Sequence, residues 1–203
     1  MKKKWLVMDF GQVMVRFNPK EIAAPFVENS EDLKILTDVL FDRLYWDRLD
    51  AGTIEDSELI TAVRARLPKR LWAAADKAYS AWIYSLPEIP GMRAVVERIK
   101  NKFGLRAALL SNISRGFAEK ADDIEILSLF DVKIYSALCG FTKPSREIFA
   151  LLCKTCEAEP KDLIFVDDSE KNVNGARDFG IDAVLFDGDS DKLEETLTSL
   201  LEN

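Results

Sequence analysis

Four short segments of this chain carry side chains that could do chemistry, and each lies at the end of an apolar run or just beyond it. Asp9 directly follows the run at residues 5–8, which is typical of a short buried strand. The carboxyl ends of parallel strands face the crevice in which open α/β sheets bind their ligands. Asp9 alone indicates little, because many strands end in Asp to form a turn. Three later segments repeat the arrangement: Ser111-Asn112, Lys143 before Pro144, and Asp167-Asp168.

Together these side chains suit chemistry at a phosphate group. A phosphate monoester dianion repels an attacking carboxylate, so such a site needs positive charge around both. Asp9 and Asp168, with backbone or water oxygens, are the oxygen ligands that Mg²⁺ prefers. Lys143 would supply a second cation, and the Ser111 hydroxyl could donate a hydrogen bond to a phosphoryl oxygen. Asp9 could then attack phosphorus and form an aspartyl-phosphate, which water would hydrolyse.

Each residue also has a purely structural interpretation. Asp9 and Ser111 could cap turns, and Lys143 could be a solvated loop charge. The Asp167-Asp168 pair could cap the helix that follows it. Because the segments follow this order on successive predicted strands, a shared site is the better interpretation.

The composition narrows the chemistry further. The 203 residues include no histidine, which excludes Ser-His-Asp and Cys-His nucleophile systems and histidine-ligated zinc or iron. The net charge of −7 argues against a general affinity for nucleic acid. No apolar stretch approaches the length of a membrane span, and Asp9 interrupts the first apolar run too early for a secretory signal. We therefore expect a cytoplasmic protein with no membrane partner.

The three cysteines favour packing over redox chemistry. Cys153 and Cys156 form a CxxC pair, but both fall within the helical pattern of residues 148–156. Thiols packed on one helix face are the favoured interpretation, and a redox or metal-binding pair is the alternative.

The pattern of elements predicts an α/β fold. Apolar runs typical of buried strands occupy residues 5–10, 105–111, 132–136, 163–167 and 183–186. Helical spacing separates the later runs: a helix ending before Gly104, one with Pro144 in its first turn, one ending at Gly180, and a closing helix through Leu201. This alternation predicts a Rossmann-like core, a parallel sheet covered by helices on both faces.

The interval at residues 15–87 breaks the alternation. It contains helical periodicities, among them one over residues 33–44, and no convincing strand. We therefore interpret it as an inserted all-helical cap above the carboxyl ends of the strands. Residues 1–14 and 88–203 would then form the catalytic core. Trp72, Tyr79 and Trp82 could face a substrate, although packing in a core is the favoured interpretation. Further cap or hinge residues that could contact a substrate, or merely pack, are Arg16, Arg43, Tyr45, Trp46 and Arg48.

With these four motifs the chain resembles the haloacid dehalogenase (HAD) superfamily, in the branch that carries a helical cap after the first strand. Within that branch it is similar to the bacterial α-D-glucose-1-phosphate phosphatases. The resemblance covers the whole chain. It implies a Rossmann-like core, a helical cap and magnesium-dependent hydrolysis of a small phosphorylated metabolite, with a sugar phosphate as the first choice.

The resemblance also implies roles for individual residues. Asp9 matches the nucleophile, Ser111 the hydroxyl that binds the transferring phosphoryl group, and Lys143 the phosphate-binding lysine. Asn112 is placed with Ser111 and Lys143 as a phosphate-binding residue. Asp9, Ser111 and Lys143 are accordingly the expected catalytic residues.

For magnesium, the resemblance implies Asp9, Asp168 with its acidic neighbour Asp167, and the backbone carbonyl of Gly11. Gly11 is also a departure from many members, which carry there a second Asp as general acid and base. The glucose-1-phosphate phosphatase-like branch is similar to this chain in having Gly. Since a positioned acid or base typically contributes about 10² to 10⁴ in rate, we expect modest activity or a preference for good leaving groups.

Two other functions stay open on the same fold. A 2-haloacid dehalogenase would use Asp9 to displace halide from carbon. That chemistry needs no metal, and the Asp167-Asp168 pair would place needless negative charge beside an anionic substrate. A non-catalytic binding module is conceivable because Gly11 has no side chain. We expect a monomer or a homodimer.

Overall fold

The computed structural model describes residues 3–202, and its centre is a five-stranded parallel sheet. The strand order is β3-β2-β1-β4-β5, with every neighbouring pair parallel. The strands are β1 (Trp5–Met8), β2 (Arg106–Ser111), β3 (Val132–Tyr135), β4 (Leu163–Asp167) and β5 (Asp182–Leu185). The predicted α/β, Rossmann-like fold is confirmed, and each strand lies within two residues of its predicted bounds. Residues 1, 2 and 203, which the predicted core range includes, lie outside the described part.

Helices cover the sheet and fill the interval after β1. The α-helices are α1 (Pro19–Ala23), α2 (Ser30–Leu40), α3 (Arg43–Asp50), α4 (Asp56–Arg66), α5 (Trp72–Ala81), α6 (Met92–Phe103), α7 (Arg115–Ala118), α8 (Ser136–Cys139), α9 (Arg146–Thr155), α10 (Glu170–Phe179) and α11 (Ser190–Glu202). Short 3₁₀ helices occupy Ala24–Phe26, Lys69–Leu71, Trp82–Tyr84, Ala121–Asp123, Glu125–Leu129 and Pro160–Asp162.

The sheet is buried on both faces, as a parallel sheet requires. Successive residues of a strand point to opposite faces, so β1 contributes to two separate clusters. Leu6 and Met8 belong to one hydrophobic cluster, and Trp5 and Val7 belong to the other. All four residues of β1 are buried, which fixes the position of Asp9 at its end.

Two helix boundaries differ from the prediction. Helix α9 begins at Arg146, not in a turn containing Pro144, because Pro144 lies inside a turn closed by the Ser145 amide and the Thr142 carbonyl, 2.8 Å apart. The helical pattern predicted over residues 33–44 is two helices. Asp42 ends it, because its Oδ1 accepts a hydrogen bond from the Leu44 amide at 2.9 Å and starts α3.

The chain enters and leaves the helical interval side by side. Val15 and Glu88 form an antiparallel bridge, and the Arg16 amide donates to the Pro87 carbonyl at 2.8 Å. One hydrophobic cluster runs from this interval to one face of the sheet, and includes Leu36 and Trp46 beside Met8. The division of the chain into a core and a cap at residues 15–87 stays a prediction.

The cysteines are packed within the fold. Cys156 is buried and belongs to the cluster on the second face of the sheet, against which Cys153 is packed. Burial raises the pKa of the Cys156 thiol to about 12, which disfavours the reactive thiolate. Within residues 3–202, no helix is both long and apolar enough to cross a membrane.

Candidate active site

A cleft of about 390 Å³ lies at the carboxyl ends of the strands. Its core side is lined by residues from all four segments identified in the sequence, and these residues follow β1, end β2, precede α9 and follow β4. Its other side is lined by residues of the helical interval. This volume is within the range of pockets that bind small molecules. Of the predicted catalytic, phosphate-binding and metal-binding residues, those that line the cleft are Asp9, Gly11, Ser111, Asn112, Lys143 and Asp168.

Lys143 lies between two buried carboxylates. Its Nζ is 2.7 Å from Oδ1 of Asp9 and 2.7 Å from Oδ2 of Asp167. The Lys143 side chain is 1% exposed, so water contributes little to neutralising these charges. Asp9 Oδ1 also accepts a hydrogen bond from the Phe10 amide at 2.7 Å. Both contacts of Asp9 therefore fall on one oxygen, and Oδ2 engages neither group.

Burial and charge act in opposite directions on this cluster. Burial raises the pKa of Asp9 to about 7, although the neighbouring Lys143 ammonium lowers it. Burial alone would lower the pKa of Lys143, but Asp9 and Asp167 together hold it above its ordinary value. Burial and the charge of Asp167 raise the pKa of Asp168. The site thus gathers more negative charge than one lysine neutralises, and a cation or a proton would relieve it.

The two neighbouring acids are placed differently. Asp167 is fully buried, and its Oδ1 accepts hydrogen bonds from the Ser169 amide at 2.8 Å and from Asn172 Nδ2 at 3.0 Å. Its Oδ2 is taken by Lys143. Asp168 is more exposed and lines the cleft. Asp167 therefore holds Lys143 in place, and Asp168 is the member of the pair that is free to meet a ligand.

The carboxylates fit a hard divalent cation. Asp9, Asp167 and Asp168 each offer one oxygen, and these oxygens lie within 4.8 Å of one another. An oxygen-only donor set with room for water suits Mg²⁺ rather than zinc or iron. Since both oxygens of Asp167 are hydrogen-bonded within the protein, Asp9 and Asp168 are the carboxylates best placed to bind the metal.

Asn112 is tied to the backbone of Lys143. Its Oδ1 accepts from the Lys143 amide at 2.7 Å, and its Nδ2 donates to the Lys143 carbonyl at 3.1 Å. This pair of bonds joins the end of β2 to the segment before α9 and fixes the lysine. The direct phosphate contact expected of Asn112 stays a prediction, as does that of Ser111, which is buried at the end of β2.

Gly11 leaves open space at the edge of the cleft. A Cβ atom added there would meet nothing within 4 Å. The next residue, Gln12, has a φ of 59°. Its side-chain amide donates to the Phe17 carbonyl and accepts from the Phe17 amide, so it stabilises the turn between these two residues. No side chain in this turn is placed to serve as an acid or base.

The helical interval contributes Arg43, Trp46, Asp50 and Trp82 to the cleft. Trp46 and Trp82 are buried in the hydrophobic cluster that includes Leu36 and Met8, and their rings pack edge to face with centroids 5.1 Å apart. Both residues therefore belong to the hydrophobic interior and also line the cleft. Trp72 and Tyr79 pack against the same cluster. Asp50 was missed by sequence reasoning, because an Asp at the end of an amphipathic helix resembles an ordinary surface charge.

The other candidates from the helical interval lie in different surroundings. Arg16 pairs with Glu21 on the surface. The Tyr45 ring lies under the Arg66 guanidinium, 5.6 Å from the ring centroid. Arg48 is exposed, and its carbonyl accepts hydrogen bonds from Thr53. The structure brings only Arg43 and Trp46 of the five to the cleft.

Comparison with known proteins gives a consistent family. A family model described as haloacid dehalogenase-like hydrolase matches residues 10–180. Drimenol cyclase drtB of Aspergillus calidoustus is 27% identical over 204 residues, which cover 96% of this chain and 36% of that protein. The phosphorylated carbohydrates phosphatase of Thermotoga maritima is 27% identical over 99 residues, or 49% of this chain and 46% of that protein. The chain thus spans less than half the length of either curated relative.

Solved structures share the fold. A HAD family enzyme from Bacteroides thetaiotaomicron, in complex with magnesium and inorganic phosphate, superposes with a TM-score of 0.71 at 19% identity. The match covers 94% of this chain and 98% of that one. Dehalogenases are also among the similar structures. At this level of identity the likeness concerns the fold alone.

Proposed function

The chain belongs to the haloacid dehalogenase-like hydrolases, and we propose that it is a magnesium-dependent phosphatase of small phosphomonoesters, with sugar phosphates as the substrate class. The observation that carries this proposal is the position of Lys143, which lies 2.7 Å from both Asp9 and Asp167. These two carboxylates also form a cluster with Asp168. The buried ammonium, together with a bound Mg²⁺, would offset the negative charge of a phosphate placed next to Asp9. The particular likeness to glucose-1-phosphate phosphatases stays a prediction.

Magnesium would be held by Asp9, Asp168 and the carbonyl of Gly11. When bound, Mg²⁺ would offset the negative charge that a phosphate dianion brings to the carboxylates and would polarise a phosphoryl oxygen. A bound cation would also favour the ionised form of Asp9, whose pKa burial raises to about 7.

The protein groups then divide the work. Lys143 and the Ser111 hydroxyl bind the phosphoryl oxygens, and Asn112 and Asp167 keep Lys143 in position through their hydrogen bonds. Asp9 Oδ2 attacks phosphorus, and the bond to the leaving group breaks to give an aspartyl-phosphate. Water then attacks this intermediate and releases inorganic phosphate. Because the groups are fixed before the substrate arrives, little reorganisation accompanies the reaction.

In this proposal, residues 15–87 form a cap that contacts the leaving group and thereby selects the substrate. The cleft volume of about 390 Å³ suits a small metabolite, and Arg43, Trp46 and Trp82 offer polar and aromatic contacts of the kind that bind sugars. The phosphatase of Thermotoga maritima named for phosphorylated carbohydrates supports this substrate class. Cytoplasmic location and a monomeric or homodimeric state remain predictions.

A haloacid dehalogenase is the second candidate, because dehalogenases share the fold. The acidic pair argues against it. Asp168 would add negative charge beside an anionic haloacid with no metal to offset it. A non-catalytic binding module would leave the buried charge of Asp9 and Lys143 without a use.

The test is turnover of p-nitrophenyl phosphate and of a panel of sugar phosphates with and without magnesium. We expect hydrolysis that requires Mg²⁺ and falls by at least about 10³-fold in Asp9→Asn. Asp38→Asn is the matched control, because Asp38 is an exposed carboxylate that pairs with Lys34 on α2. Chloride release from 2-chloropropionate without phosphate release would support the dehalogenase instead. Absence of both activities would support the binding module.

A further inference from the structure

The proposed reaction leaves one proton without a donor. The alkoxide of a sugar is a poor leaving group and needs a proton as the bond to phosphorus breaks. Asp9, Lys143 and Asp168 all address the phosphoryl end, and Gly11 has no side chain. The donor must therefore come from elsewhere around the cleft, and this inference rests on the proposed phosphatase function.

Asp50 is the carboxyl group that the helical interval brings to the cleft. It is the last residue of α3 and lines the same cavity as Asp9 and Lys143. It belongs to the helical interval, the part of the chain that we propose contacts the leaving group. Both Asp9 and Lys143 are close enough to influence its ionisation.

The backbone around Asp50 is fixed to the core. The Ser136 hydroxyl donates to the Asp50 carbonyl at 2.5 Å and accepts from the Ile113 amide at 2.9 Å. Ser136 thereby joins the end of α3 to the loop after β2. Gly52 follows with a φ of 67° and lies so close to α8 that an added Cβ would be 2.5 Å from the Ala137 carbonyl oxygen. These contacts fix the backbone from which the Asp50 side chain reaches the cleft.

The other polar groups of the cleft are less suited to the task. Gln12 has no titratable proton and its amide is engaged with Phe17. Arg43 keeps its proton in proteins. Lys171 is exposed, and Asp168 is needed for the metal. Asp50 is the remaining acid among the described residues that line the cleft.

We propose that Asp50 is the general acid and base of the reaction, supplied by the helical interval in place of a side chain at position 11. As Asp9 Oδ2 attacks phosphorus, the bond from phosphorus to the leaving oxygen breaks, and that oxygen takes the proton of the Asp50 carboxyl. The resulting carboxylate then accepts a proton from the water that attacks the aspartyl-phosphate. The bond between phosphorus and Asp9 breaks, phosphate leaves, and Asp50 is protonated again.

The surroundings of Asp50 are consistent with this role. Burial raises its pKa to about 7, and the charge of Asp47 on the same helix acts in the same direction. Arg43 on α3 and Lys143 across the cleft lower the pKa, and Asp9 raises it. Tyr79 on α5 also interacts with Asp50. A general acid is most effective when its pKa lies near the working pH.

The experiment compares leaving groups in Asp50→Asn. For an alkyl phosphate such as glycerol 2-phosphate, we expect kcat/KM to fall by about 10² to 10⁴. For p-nitrophenyl phosphate, whose leaving group needs no proton, kcat/KM should stay within about threefold of wild type. Because hydrolysis of the intermediate also loses its base, a burst of about one p-nitrophenolate per enzyme should precede slow turnover. Asp38→Asn should show none of these changes.

Equal losses for both substrates, or no loss for either, would overturn the role of Asp50 while leaving the phosphatase proposal intact. Wild-type protein that hydrolyses neither substrate with magnesium would overturn both. Thermal unfolding and circular dichroism of Asp50→Asn identify a variant that has not folded. In that event the same comparison is made with Asp50→Glu, which keeps the acid but displaces it by one methylene. A loss confined to the alkyl phosphate would support the proposal, and equal losses for both substrates would contradict it.

Discussion

The ammonium nitrogen of Lys143 lies 2.7 Å from Oδ1 of Asp9, and the two side chains are 1% and 12% exposed. A buried ion pair of this kind contributes little net stability, because desolvation of two charges offsets most of their attraction. Removal of one partner nevertheless destabilises the protein strongly, because the other charge stays buried without its counter-ion. Asp167 makes this pair a cluster of three, since it accepts from the same nitrogen. The stability of the protein should therefore respond to Lys143, to metal and to pH together.

Lys143→Met should destabilise the protein by about 3–5 kcal/mol at pH 8, because it leaves Asp9 and Asp167 buried without their cation. Loss of the ammonium should raise the pKa of Asp9 further. A carboxyl whose pKa is raised in the folded state stabilises below its ordinary pKa and loses that contribution as pH rises. The destabilisation should hence be smaller at pH 5 than at pH 8, measured by urea unfolding. Lys192→Met, at an exposed lysine paired with Asp187, is the control, and an equal loss at both pH values would contradict this account.

Asp50→Asn should change how stability depends on pH. Burial raises the pKa of Asp50 from 3.8 to about 7, so the folded protein keeps a proton that the unfolded chain has lost. This contribution is fully present below about pH 4 and disappears as pH rises through 7. Relative to wild type, Asp50→Asn should gain up to about 4 kcal/mol of unfolding free energy between pH 4 and pH 8. Parallel stability curves for the two proteins would show that Asp50 titrates normally. This measurement needs neither substrate nor metal.

Asp168→Asn and Asp167→Asn should have different consequences. Asp168 lines the cleft, so its loss should weaken Mg²⁺ binding by at least about tenfold in calorimetric titration, with little effect on stability without metal. Asp167 is fully buried and holds Lys143. Its change to Asn should cost about 3–5 kcal/mol of unfolding free energy even without metal. If the two variants exchanged these effects, Asp167 would be the principal metal ligand.

Gly11→Asp should fit and should supply a second acid. A Cβ at this position meets nothing within 4 Å, and Gly11 is not among the glycines with a positive φ. In the background of Asp50→Asn, we expect Gly11→Asp to restore at least about tenfold of the lost kcat/KM for an alkyl phosphate. Gly11→Asn is the matched control, because it fills the same space without a titratable proton. Equal rescue by Asn would mean that the added side chain acts through packing.

Much of the core could be predicted from the sequence, because the signals are local. The parallel strands are mainly apolar, and Gly104 and Gly180 end helices where only a left-handed residue fits. Parallel strands present their carboxyl ends at one edge of the sheet. Once the strands are known, this rule predicts that Asp9, Ser111, Lys143 and Asp168 lie close together. These four residues do line one cleft.

The boundaries that were wrong depended on single hydrogen bonds. The break between α2 and α3 rests on Asp42 accepting from the Leu44 amide, and the start of α9 rests on the turn between Thr142 and Ser145. The spacing of apolar residues contains no information about either hydrogen bond. Two short helices in succession can show the same apolar spacing as one longer helix.

Residue types and their order along the chain by themselves determined the sheet, the edge of it at which the cleft lies and the side chains available there. Only the tertiary structure decided which acidic side chains are buried in hydrogen bonds within the protein and which are exposed in the cleft. Asp167 and Asn112 are committed to Lys143 by contacts across the sheet, and Asp50 becomes a cleft residue because α3 docks on Ser136 and Ala137. The physical reason is that ionisation and hydrogen bonding depend on neighbours that are distant in the chain, whereas strand and helix formation depend mainly on residues nearby.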